Sequence, residues 1–183
     1  MFLSTFAFME HRFGAEAREA VMTRLTAEDR ELLSGIMLPI TWYPLAPFGR
    51  LLRVMDTRLG KGDLSLVVER GEWTATRDLH TLRKVLLKLV TIPWVIQKGA
   101  SLWPQFHDTG RWEVRHGGNS ETHAVAELHD LGVVDEAICA SIRGWIIGLA
   151  KLTGSKAVRV RHATCRAKGD AACVYEVQWL REV

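Results

Sequence analysis

Three cysteines and one histidine in the C-terminal part of this chain are the residues best suited to chemistry. They run Cys139, then His162-x2-Cys165-x7-Cys173, with a Gly169-Asp170 turn inside the last interval. Thiolate and imidazole are donors that zinc prefers, and a Cys3His set can close a tetrahedral shell. A structural zinc held by Cys139, His162, Cys165 and Cys173 is therefore expected. Each residue alone has a plainer reading, since free cysteine is a common small core residue and an inward histidine is usually hydrogen-bonded core. Only the four together argue for metal, because the spacing is not that of a standard zinc finger.

The surrounding pattern supplies elements that could bring them together. From Asp135 the apolar residues Ile138, Ile142, Trp145, Ile146 and Leu149 recur at helical spacing, with Asp135 as N-cap and Gly154 as a stop. Cys139 falls in the first turn of that helix, where the positive helix end favours a thiolate. A hairpin follows: Ala157 to Cys165 alternates with Val158, Val160 and His162 on one face, and the chain turns at Lys168-Gly169-Asp170. It returns with Cys173, Tyr175, Val177 and Trp179 on one face. His162 and Cys173 then point into one space. Cys165 has the opposite parity, so its strand must end or bend there.

The segment His162-Ala-Thr-Cys165-Arg-Ala-Lys-Gly169-Asp170-Ala-Ala-Cys173-Val-Tyr-Glu-Val-Gln-Trp resembles the C-terminal signature of 4-vinyl reductase (4VR) domains. Such domains occur in bacteriochlorophyll biosynthesis and as phenol sensors in sigma-54 activators. The resemblance implies zinc held by a helix cysteine, an acidic residue and two hairpin cysteines, with His162 standing where the sensors have glutamate. It also implies the sheet-and-helix architecture shared with TRAPP trafficking-complex subunits, a NO-signalling/Golgi-transport ligand-binding fold. Upstream, Trp42-Tyr43-Pro44-Leu45 and Leu102-Trp103 resemble a myxobacterial family of similar length, which adds no chemistry.

With 183 residues, 48% of them hydrophobic, the chain can bury one good core. A net charge of +3, with basic residues spread along the chain, argues against nucleic acid. Three cysteines and no secretion signal fit a reducing, cytoplasmic setting. No apolar run is long enough to span a membrane.

The opening apolar residues are read as a short strand or an arm that packs on a partner. Helices are expected over 14–25, over Thr26 to Gly35 and from Phe48 to Leu59. A long central helix is expected over 77–97, with Leu79, Leu82, Leu86, Leu87, Val90 and Trp94 inward and a kink or early end at Pro93. One neighbour of that helix could be its copy in a homodimer. Gly60-Lys-Gly-Asp63 lacks the residues of a phosphate-binding loop. Arg111 to His116 and Glu121 to Leu128 read as strands around a Gly117-Gly118-Asn119 turn. The pattern gives an α+β class: a four-stranded antiparallel sheet with helices packed on one face. One domain over 1–183 is expected, helical over 1–100 and sheet plus zinc site over 101–183.

Trp94, Trp103, Phe106, His107 and Trp112 cluster where the long helix meets the sheet. They could wall a pocket for a small hydrophobic or aromatic ligand, or simply fill core. His123 and His129 would lie roughly 20 Å apart along a strand, too far to share a metal. Hydrolase, zincin and dinucleotide motifs are missing. A closed Cys3His shell leaves no position for substrate, so the zinc is expected to be structural. The 4VR resemblance implies a small-molecule-binding or sensory domain that signals through a partner, a binding protein more than an enzyme. Two alternatives stand beside it: a tetrapyrrole 4-vinyl reductase, for which no cofactor motif is visible, and a scaffold like the trafficking subunits.

Overall fold

The computed structural model describes residues 1–38, 41–78, 90–116 and 122–180. Among the described residues six helices come first: α1 (Phe2–Phe13), α2 (Glu16–Met22), α3 (Ala27–Ser34), α4 (Leu45–Leu59), α5 (Ser65–Asp78) and α6 (Ile92–Leu102). Strands β1 (Arg111–His116) and β2 (His123–His129) follow, then α7 (Glu136–Leu152), β3 (Lys156–Thr164) and β4 (Cys173–Leu180). The strands are antiparallel throughout, in the order β1-β2-β4-β3. The α+β class and the four-stranded antiparallel sheet are thus as the alternation predicts. No described helix is long and apolar enough to cross a membrane.

Alternation also sets the two faces of the sheet. Ala124, Ala126 and Leu128 of β2, Val160 of β3, and Tyr175 and Val177 of β4 are buried on the inner face. The outer face carries ion pairs, among them Arg111–Glu113, Arg115–Glu127 and Arg161–Glu176. Water can solvate that face, so helices are needed on one side only.

Two expectations need correction. The N-terminal segment is a helix rather than a strand or an arm. Phe2, Phe6 and Met9 recur at helical spacing and are buried at 4%, 3% and 0% exposure, so the core recruits this apolar stripe as α1. The long central helix does not run through to Gln97 either. A fresh helix, α6, starts at Ile92, where the Thr91 hydroxyl accepts from the Trp94 N–H. Pro93 therefore lies in a first turn, where its missing N–H costs nothing, instead of kinking a helix. The new start resets the phase, and Trp94, expected inward, is 49% exposed. Leu79, Leu82, Leu86 and Leu87 of that expected helix, and the Gly117-Gly118-Asn119 turn, lie outside the described residues.

Helix α5 has no counterpart in the sequence reading, and it makes the closest helix crossing with α7. A Cβ on Gly144 would collide with the Val68 carbonyl oxygen, and one on Gly71 with that of Ser141. Bare glycines let the two backbones touch. This crossing fixes α7 against the helical half and so positions its first turn over the sheet.

Candidate metal centre

Asp135 starts α7 and anchors it. Its carboxylate accepts from the Ala137 N–H at 2.7 Å and receives both Nε and a terminal nitrogen of Arg53 from α4. Cys139 follows in the first turn and faces the hairpin. Between His162 and Thr164 the register of β3 against β4 shifts, and β3 then ends. That irregularity turns Cys165 inward despite its parity, as the sequence requires. Asp170 accepts from the Cys165 N–H at 2.7 Å, and Gly169 takes the left-handed conformation at φ 95°, closing a compact knuckle around the sulfur.

The donor atoms of Cys139, His162, Cys165 and Cys173 all lie within 4.8 Å of one another. The Sγ atoms of Cys139 and Cys173 are 3.5 Å apart, and those of Cys165 and Cys139 3.9 Å. Metal–sulfur bonds of about 2.3 Å in a tetrahedron would set sulfurs about 3.8 Å apart, so this spacing is that of a ligand set. The three cysteines are buried and free of disulfides. The His162 ring stacks on Tyr175 at 4.6 Å, and its Nε2 is enclosed with no hydrogen-bond partner among the described residues. Tyr175 in turn donates its hydroxyl to the Cys139 carbonyl at 3.3 Å, tying α7 to β4 through an aromatic brace.

The thiols do not titrate alike. A hydrogen bond from Cys139, assisted by His162 and the Arg166 N–H, pulls Cys173 down to about 4, against the opposing effect of burial. The same hydrogen bond, with burial, pushes Cys139 up. Burial also raises Cys165. Cys173 is therefore the sulfur prepared to act first as thiolate, and a cation entering the cluster would relieve the mutual repulsion that holds its neighbours protonated.

The aromatic group is brought together only in part. Trp103 stacks on His107 at 3.7 Å and meets Trp112 edge-on at 5.6 Å. Trp112 leads on to Tyr175 at 5.8 Å. Trp94 and Phe106 are exposed at 49% and 65%. None of the five lines either of the two best-formed grooves of the described surface.

A second group escaped the sequence reading. Glu113, Glu127 and His129 converge on the outer face of the sheet. The signal was the strand register, which sets Glu113 directly opposite Glu127. Arg111 and Arg115 already pair with these two carboxylates, which makes the group a surface ion-pair network.

Neither a family model nor a curated protein matches the chain. Solved structures do. An H-NOX protein from S. oneidensis in the Fe(II) ligation state superposes with a TM-score of 0.74 at 12% identity, over 100% of this chain and 95% of that one. An unliganded Fe(II) H-NOX protein from K. algicida gives 0.66 at 13%, over 100% and 96%. A third H-NOX structure, concerned with haem distortion, gives 0.64 at 11%, over 100% and 95%.

These likenesses overturn the 4-vinyl reductase resemblance and leave the finer 4VR/TRAPP-type assignment unsupported. They overturn zinc as the expected cofactor too, since the matching proteins carry iron or haem. The physical reason is that sulfur and imidazole donors do not by themselves choose among thiophilic metals. Haem, however, does not fit the two best-formed grooves of the described residues. It needs an axial His, Cys, Met or Tyr facing a slot for the macrocycle, and neither groove is lined by any of these. Phe8, Met9, Val21, Leu51, Leu52 and Met55 fill the helical core at no more than 1% exposure. Of the described histidines outside the cluster, His11 stacks on Trp73, His107 stacks on Trp103, His123 and His129 lie on the outer parity of β2, and His116 is the last residue of β1, opposite Ala124. The chain has the fold of H-NOX proteins, and the Cys3His cluster is a buried group, among its described residues, whose donor spacing could hold a metal ion.

Proposed function

We propose that this chain is a sensory domain on the H-NOX fold, with a metal ion held by Cys139, His162, Cys165 and Cys173 as its responsive centre and a partner protein as its output. The observation that carries this reading is the convergence of four donors, from a helix and a hairpin, within 4.8 Å. The fold supports it, because the matching H-NOX proteins hold Fe(II) that takes up NO or CO. Three sulfurs and an imidazole select a soft or borderline ion over hard, oxygen-seeking ones. The four donors fill a tetrahedron and leave no position for substrate, so the centre binds and reports rather than catalyses. An ion there ties the first turn of α7 to both strands of the hairpin, and its loss frees them. The reductase and scaffold alternatives gain no support from the fold's relatives.

Elemental analysis of protein purified without a metal-affinity tag, followed by cobalt(II) titration of the metal-free form, tests the reading. The expected result is about one ion per chain and a thiolate-to-cobalt absorption band that Cys139→Ser removes. Substoichiometric metal together with no such band would overturn it.

A further inference from the structure

The elements that carry the cysteine cluster also build a groove beside it. About 450 Å³ of space lies along the open edge of the sheet, between α7 and β3, lined by Arg143, Ile147, Val158, Arg159 and Arg161 among others. Arg143 and Ile147 sit one and two turns after Cys139 on the same stripe of α7. Val158 and Val160 share the parity of His162 on β3. Arg143 spans the two elements, donating its Nε to the Val160 carbonyl at 2.8 Å. The separation of α7 and β3 that a metal ion would set at Cys139 and His162 is therefore the separation that shapes the groove.

The charge of the groove is unbalanced. Its three arginines face one acid, Glu176, and Arg161 already holds that carboxylate through two nitrogens. Arg159 is exposed and pairs with no acid among the described residues. The opposite edge of the sheet differs, since on β1 both Arg111 and Arg115 pair with glutamates. An open edge strand invites a partner segment, and here the invitation is cationic on one side and aliphatic on the other. Nucleic acid fits less well, because half of the lining is aliphatic or acidic and the positive charge forms no stripe.

We infer that the α7–β3 groove docks an acidic, partly apolar segment of a partner protein, with carboxylates on Arg143 and Arg159 and an aliphatic side chain against Ile147 and Val158. The docking stands on the groove alone. That the cluster controls it rests on the function proposed above.

Fluorescence anisotropy with a short labelled peptide alternating glutamate and valine tests the docking, with the lysine–valine peptide as control. The glutamate peptide should bind, more weakly as salt is raised, and the lysine peptide should not. Arg159→Glu should weaken binding about tenfold or more, and Ile147→Asp should weaken it at constant charge on the arginines. Arg159 is exposed, so its variant tests the contact with little risk to the fold. No binding, or binding indifferent to Arg159→Glu, overturns the docking. So does a DNA duplex that binds through Arg159 where the peptide does not, or self-association of the chain that Arg159→Glu abolishes. Metal content measured on the same samples separates the two readings: peptide binding without stoichiometric metal sinks the metal centre alone, and full metal without peptide binding sinks the docking alone.

Discussion

The sulfur of Cys139, on the first turn of α7, lies 3.5 Å from the sulfur of Cys173, at the first residue of β4. This contact joins the two halves of the C-terminal structure at the point where the helix enters and the hairpin returns. Both thiols are buried, with Cys165 Sγ 3.9 Å from that of Cys139 and the Arg166 N–H 3.5 Å from that of Cys173.

Replacing Cys173 by Ser should remove one donor and the bound ion. The expected loss is at least about 3 kcal/mol, because a metal that binds only the folded state adds its binding free energy to folding. Chelator-treated wild type should melt close to the variant. Equal melting temperatures for native wild type and Cys173→Ser would show that no ion braces the fold.

Haem should not be retained. Hemin added to the apo-protein and passed through gel filtration is expected to leave no stoichiometric Soret band from an axially ligated iron. A haem-loaded protein emerging at one equivalent would show that a donor and a slot exist after all.

The α5–α7 crossing makes a sharp mutational contrast. Gly144→Ala should cost about 3 kcal/mol or more, since the new methyl meets the backbone of Val68, which cannot step aside as a side chain would. Gly35→Ala, at φ −72° with its nearest neighbour 3.9 Å away, should stay within about 0.5 kcal/mol of wild type. Urea denaturation of both reads the difference, and equal effects would mean the helices are not in backbone contact.

His107 sets a pH dependence. Burial, opposed by Asp108, pushes its imidazole from 6.5 down to about 4. Its folded value lies below its unfolded one, so the unfolded chain binds the extra proton between them. The stability it contributes is present above pH about 6.5 and falls as pH drops toward about 4. Thermal melts of His107→Phe against wild type should show a flatter acid limb, and identical limbs would place His107 in water.

Much of the candidate site could be read locally. The Asp135 cap, the alternation of β3 and β4, the Gly169-Asp170 turn and the bend that Cys165 demands all follow from residues near one another in sequence. So does the resemblance that misled: a knuckle with two cysteines around a Gly-Asp turn is a local solution of a hairpin, which unrelated relatives can share. Local signals likewise failed around Pro93, where a proline within an apolar run fits a late kink as well as a fresh start. Only the placement of Thr91 as a cap decides it.

What the amino-acid sequence determined by itself is the donor set, the α+β class and the four-stranded antiparallel sheet, because side-chain chemistry and two-residue alternation are properties of short segments. The tertiary structure decided the rest. Helix α5, carrying Gly71 and several β-branched residues, has little reason to form until the glycines of α7 offer it a surface. That crossing holds Cys139 over the hairpin. Such an outcome depends on backbones meeting from distant parts of the chain, and no spacing within either helix encodes it.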